Sequence, residues 1–227
     1  MKPREDAQHA RYDSAMKVGL FGGSFDPPHR GHLAVAETVR DRFALDRILL
    51  APAAIQPLKP GGAHASFADR LHMVHLLCDG ARGIEASTID GPQAGNRPNY
   101  TVNTLGRLRK ELPTGTELFV IVGADAFLGI RQWKDPDTLL KEARWIIVSR
   151  PGFDLHQLKA LELTPEQRAR IQTLGGFENQ VSATEIRERF HEHEAAAAGT
   201  LGPSADWGEL VPPKVLEYIR AHHLYGT

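Results

Sequence analysis

Short apolar runs at residues 17–21, 47–51, 84–87, 118–122 and 145–149 punctuate the chain. Each is brief, almost continuously apolar and bounded by turn residues, which predicts buried strands. Between them apolar positions recur at helical spacing over 32–43, 67–77, 102–111 and 135–141, and after them over 182–190 and 213–222. Gly, Pro, Asp or Asn opens or closes each of the first four. Strict alternation of strand and helix predicts an α/β fold with a doubly wound parallel sheet, whose ligands bind beyond the carboxyl ends of the strands.

The ends of the chain follow another pattern. Residues 1–15 carry Lys2, Arg4, Glu5, Asp6, Arg11 and Asp13 with little to bury, so they read as a solvated tail, and the fold is expected to begin at Met16. From 16 to 227 a single Rossmann-like domain is expected, with a small C-terminal helical part at about 182–227. Within that part, 191–207 contains the Ala195 to Ala198 run and reads as a helix end followed by a flexible insertion.

Composition narrows the chemistry. At 227 residues the chain is long enough for one sizeable core. Its 27 Lys and Arg against 28 Asp and Glu give a formal charge of -1, so no general field attracts nucleic acid or a membrane, and an anionic ligand needs a local site. The one cysteine, Cys78, closes an apolar helical pattern and reads as a small buried hydrophobe, which leaves no disulfide framework and no cysteine-based zinc cluster. No apolar run reaches the ~20 residues of a membrane span, and the first residues lack a signal-peptide core, so a cytoplasmic protein is expected.

The chemistry concentrates at the end of the first strand, in Gly22-Gly23-Ser24-Phe25-Asp26-Pro27-Pro28-His29-Arg30-Gly31-His32. Paired glycines let backbone N–H groups approach a phosphate, and the start of the next helix adds partial positive charge. His29 and His32, three apart at a helix start, share a face and can reach one anion. A zinc site there would need a third ligand, and the nearest candidates, His72 and His75, sit in an apolar helical stretch; no metal site is expected. Ser182 and Glu185 form a capping-box pattern with Arg187 one turn further on, so dipole and guanidinium together could hold a second anion. Asp125 follows the most apolar run and should emerge in the crevice. Thr101 and Thr104 stand at a helix start where hydroxyl and N–H groups could receive a carboxylate.

The segment GGSFDPPHRGH resembles the H-x-G-H signature of the nucleotidyltransferase superfamily, in the form found in bacterial nicotinate-nucleotide adenylyltransferases. Matches follow in the family's order: PAAIQPLK at 52–59, Arg70 with Met73, YTVNTL at 100–105, Gly123-Ala124-Asp125, Trp133, Arg150-Pro151-Gly152, SATEIR at 182–187 and VPPKVLEYIRAHHLY at the C-terminus. The tail and the 191–207 insertion are the departures. The resemblance implies transfer of the adenylyl group of ATP to nicotinate mononucleotide, giving deamido-NAD and pyrophosphate by direct in-line attack in NAD biosynthesis. It implies His29, His32, Lys59 and Arg187 as catalytic groups. ATP would be held by Gly22, Gly23, Ser24, Phe25, His29, Gly31, His32, Gly123, Asp125, Arg150, Ser182, Thr184 and Arg187. The mononucleotide would be held by Ser24, Phe25, Lys59, Thr101, Thr104 and Trp133, the indole serving as a platform for the pyridine ring. Mg²⁺ is expected with ATP, and a homo-oligomer is compatible with the sequence.

Two alternatives stand beside this reading. Pantetheine-phosphate adenylyltransferases and cytidylyltransferases share the histidine motif, but usually lack YTVNTL and SATEIR in this form. A non-catalytic nucleotide-binding module would have no need of both histidines and both phosphate clamps. Deletion of Met1 to Ala15 is expected to leave melting temperature and activity unchanged; a large drop in Tm would show that the tail docks.

Overall fold

The computed structural model describes residues 15–59, 61–149, 153, 156–176, 181–197 and 207–226. Six strands form one parallel sheet: β1 (Lys17–Gly23), β2 (Arg47–Pro52), β3 (Ile84–Ala86), β4 (Glu117–Gly123), β5 (Arg144–Val148) and β6 (Ile171–Leu174), in the order β3-β2-β1-β4-β5-β6. The predicted alternation is present. Central strands β2, β4 and β5 are buried along most of their length because helices cover both faces, which is why they read as continuous apolar runs. β6 was not predicted. It is a short edge strand whose two middle residues are exposed, so Ile171-Gln172-Thr173-Leu174 carries no apolar run.

The intervening helices are α1 (Arg30–Phe43), α2 (Phe67–Cys78), α3 (Thr101–Glu111), α4 (Ala124–Leu128), α5 (Pro136–Glu142), α6 (His156–Lys159) and α7 (Pro165–Arg168), followed by α8 (Ala183–Ala197), α9 (Trp207–Leu210) and α10 (Pro213–Ala221). The helix predicted to end at 190 continues to Ala197, while 198–206, most of the proposed insertion, and 1–14 of the proposed tail lie outside the described residues. Two apolar clusters fill the space on either side of the sheet. One joins Ala36 and Val39 of α1, Met73 and Leu77 of α2, Ile186 and Phe190 of α8, and Val215 and Ile219 of α10. The other joins Leu105 and Leu108 of α3 with Phe127, Leu139, Leu140 and Trp145.

The C-terminal helices therefore pack onto the sheet itself. Phe190 stacks on Trp207 with centroids 4.2 Å apart, and Tyr218 lies between His72 (4.5 Å) and His222 (4.1 Å) while its hydroxyl donates to Asp69 Oδ1 at 2.9 Å. His72 and the exposed His222 thus both act as ring partners of Tyr218. Cys78 is buried, and burial pushes its thiol up to about 12, which removes it from thiolate chemistry. Among the described residues no helix is long and apolar enough to cross a membrane.

Candidate active site

Strand order reverses at β1, with β2 on one side and β4 on the other, and the cleft opens beyond their carboxyl ends as such a switch point requires. Its volume is about 1340 Å³. Single small-molecule sites hold roughly 300–1,000 Å³, so the cleft has room for two nucleotides.

β1 runs into the turn through Gly23, where an added Cβ would come to 3.2 Å from the Phe25 ring. Phe25 is in the left-handed region at φ 49° and is buried, its ring packed against His32 at 4.7 Å. His29 caps α1, one residue before the helix begins, and its ring lies 3.8 Å from that of His32. The His29 backbone N–H donates to His32 Nδ1 at 3.2 Å. With Nδ1 accepting, a neutral His32 carries its proton on Nε2, which makes that atom a hydrogen-bond donor. Both imidazoles line the cleft together with Gly22, Ser24 and Gly31.

Cationic groups surround this turn. Lys59 Nζ donates to Ser24 Oγ at 3.2 Å, and Ser24 Oγ donates to Gln56 Oε1 at 3.0 Å. Arg187 donates to the Asp26 carbonyl at 2.6 Å and to Thr184 Oγ1 at 3.2 Å. Ser182 caps α8 by accepting the Glu185 N–H at 3.1 Å, as predicted, whereas the Glu185 carboxylate pairs with Arg189 at 2.6 Å. Gly123, Asp125, Ser182, Thr184, Thr101 and Trp133 all line the cleft, with Trp133 resting edge-on against Trp145 at 6.0 Å. The structure thus gathers the expected residues at one place, apart from Arg150, which lies outside the described residues, and Thr104.

Thr104 is a correction. It is fully buried, does not line the cleft, and its hydroxyl donates to Asp90 Oδ1. Its N–H is spent as well, on the Tyr100 carbonyl at 3.1 Å. The donors left at the start of α3 are those of Thr101 and Val102.

Comparison with known proteins places this arrangement in a family. Residues 20–189 match the cytidylyltransferase-like family. A Solibacter usitatus protein named "Probable nicotinate-nucleotide adenylyltransferase" is 39% identical over 211 residues, 93% of this chain and 100% of the relative. One of the same name from Desulfatibacillum aliphaticivorans is 44% identical over 233 residues, 92% of this chain and 100% of the relative. This chain belongs to the nicotinate-nucleotide adenylyltransferase family. The fold is shared with Plasmodium falciparum nicotinic acid mononucleotide adenylyltransferase complexed with NaAD, at TM-score 0.69 and 18% identity over 92% of this chain and 97% of that one.

In this nicotinate-nucleotide adenylyltransferase family member the turn is held from beneath by groups that sequence reasoning did not single out for this purpose. Asp26, 3% exposed, accepts the backbone N–H of His64 at 2.7 Å and of Ala65 at 3.1 Å, and the Tyr225 hydroxyl at 2.8 Å; His64 Nδ1 lies 3.2 Å from it. Burial alone would raise its pKa, but the hydrogen bonds from His64, Ala65 and Tyr225 outweigh that and hold it below the ordinary carboxylate value. Arg70, 2% exposed, donates to the carbonyls of Ser24 (2.6 Å), Ala53 (2.9 Å) and Ala65 (3.2 Å). The sequence match had marked Arg70 without a role; its role is to tie the turn at Ser24 and both ends of the loop between β2 and α2 to one guanidinium.

A carboxylate whose folded pKa lies below its unfolded value of about 3.9 stabilises the fold above that pH, and the contribution is lost as pH falls through the folded value. Asp26→Asn removes this contribution and turns an NH₂ group toward backbone donors. We expect destabilisation of about 2 kcal/mol, or roughly 4–8 °C in Tm at neutral pH, with the gap to wild type narrowing below about pH 4. Thermal unfolding from pH 3 to 7 checks both the size and the sign.

Proposed function

We propose that this protein transfers the adenylyl group of ATP to nicotinate mononucleotide, releasing pyrophosphate and deamido-NAD. The observation that carries the reading is the convergence on one two-nucleotide cleft of His29, His32, Lys59 and Arg187 around the turn at 24–26. A mononucleotide phosphate, with a second pKa of about 6, is already largely dianionic at neutral pH, so attack on the α-phosphorus needs no general base. What the protein supplies is alignment of two polyanions and donors for the charge that develops on transferred and departing oxygens.

Each residue has an assignment in this scheme. His32 Nε2 and the His29 imidazole donate to the α- and β-phosphates, while the glycine turn and the α1 N-terminus contribute backbone N–H groups. Lys59, seated on Ser24, receives the attacking phosphate. Arg187, with the N-terminus of α8, receives the departing pyrophosphate. Trp133 stacks on the pyridine ring and the first N–H groups of α3 receive its carboxylate, now assigned to Thr101 and Val102. Gly123, the last residue of β4, and Asp125 just beyond it take the nucleoside side of ATP. Phe25 acts chiefly by seating His32.

Among the described residues no three His, Cys, Asp or Glu side chains converge as a metal-binding group. Mg²⁺ would arrive as part of the Mg–ATP substrate and would serve to neutralise phosphate charge.

Pyrophosphate release on mixing the protein with ATP and nicotinate mononucleotide is the direct test; release with phosphopantetheine in its place would overturn the acceptor. Within that assay, His32→Ala should lower kcat by about 10²–10³ with a smaller change in KM for ATP, because its donor acts on transition-state charge. Near-normal kcat would remove His32 from the chemistry. Calorimetric titration separates the two ends of the cleft. Arg187→Ala should weaken pyrophosphate and ATP and spare the mononucleotide, whereas Lys59→Ala should do the reverse.

A further inference from the structure

Asp90 has no part in the scheme above, yet it lines the same cleft. It stands in the loop between β3 and α3, on the opposite side of β1 from Asp125. Its main chain is fixed by the Ala54 N–H, which donates to the Asp90 carbonyl at 2.9 Å. Its Oδ1 is fixed as well, accepting from Thr104 and lying 3.5 Å from Arg107. Oδ2 has no donor among the described residues and faces the paired glycines: a Cβ added to Gly22 would meet it at 3.9 Å.

A rigid, nearly buried carboxylate beside a cleft for two polyanions repels phosphate, so its partner there must be a neutral donor. Burial raises its pKa, and the Thr104 hydrogen bond and Arg107 only partly offset this, so a further donor would stabilise the ionised form. Two nucleotides bring two ribose diols, and two carboxylates with open oxygens, Asp125 and Asp90, flank the glycine corner on opposite sides. Asp26 does not compete, since both its oxygens are engaged. Asp90 is anchored to α3, the helix whose start is assigned to the nicotinate carboxylate, and so lies in the mononucleotide half.

We propose that Asp90 Oδ2 accepts a hydrogen bond from a ribose hydroxyl of the mononucleotide, making Asp90 a sugar-binding residue of the acceptor site. This rests on the adenylyl-transfer reading. Asp90→Asn keeps an acceptor for Thr104 and replaces the open acceptor by an NH₂ group. It should lower kcat/KM for nicotinate mononucleotide about 10- to 100-fold, mainly through KM, while KM for ATP stays within about twofold. The 2′-deoxy and 3′-deoxy mononucleotides identify the partner. One of them should lose a similar factor with the wild type and no further factor with Asp90→Asn. If Asp90→Asn does not fold, the double variant Asp90→Ala with Thr104→Val, which removes both partners of the buried hydrogen bond, takes its place in the same comparison. Independent, multiplying losses for variant and both analogues, an effect confined to ATP, or a shift only in the Mg²⁺ requirement would each overturn the inference. Failure of the wild type to release pyrophosphate with this acceptor would overturn the functional reading instead.

Discussion

The burial of two opposite charges, Asp26 and Arg70, beneath the 24–26 turn is the constraint on which the site depends. Neither could be buried without hydrogen-bond partners, since an unsatisfied interior charge costs several kcal/mol. Each therefore gathers partners from distant segments. Asp26 takes the N–H groups at 64 and 65 and the hydroxyl at 225, and Arg70 takes the carbonyls at 24, 53 and 65. The opposite charge of Asp26 counters the effect of burial on Arg70. Because every bond is directional, satisfying both charges leaves the 24–26 turn little freedom. The glycine corner, the 53–65 loop and the C-terminus are thereby fixed to one another before any ligand arrives.

That framework explains how cations are presented to the cleft. Lys59 donates to the side chain of Ser24, whose carbonyl Arg70 holds, and Arg187 donates to the carbonyl of Asp26, whose carboxylate is held by His64, Ala65 and Tyr225. Their hydrogen bonds to Ser24 and Asp26 hold flexible side chains in place ahead of binding, which lowers the entropy cost of meeting a phosphate. The neutral ties that organise the far wall, Ile55 N–H to Asn99 Oδ1 and Asn99 Nδ2 to the Gly91 carbonyl, both at 2.9 Å, do the same for the loop that carries Asp90.

The sequence made legible what is local. The glycine corner with its two histidines, and the capped helix start with Arg187, each lie within one turn of chain, so residue type and spacing were enough. The strands of the sheet interior were legible for a related reason, since burial on both faces writes itself as an unbroken apolar run. β6 was not, because an edge strand with exposed middle residues has no such signature. The network beneath the turn stayed hidden because the partners of Asp26 lie 38 to 199 residues away, and no periodicity connects them. Thr101 and Thr104 are the same residue type at the same helix start, and only burial tells them apart. Asp90 precedes Gly91 and Pro92, a string that reads as a turn.

The Tyr225 hydroxyl ends on Asp26, 199 positions earlier. The histidine corner and the residue that braces it are thus encoded about 200 positions apart. On a ribosome adding roughly 5–20 residues per second, the histidine corner emerges many seconds before the residue that braces it. Throughout that interval Asp26 lacks one of its donors, and the surface later covered by α8 to α10 stands open. Tyr225 acts as a latch, so a chain that stops short of it keeps the nucleotide-binding motif in its sequence and lacks the brace that holds it in shape.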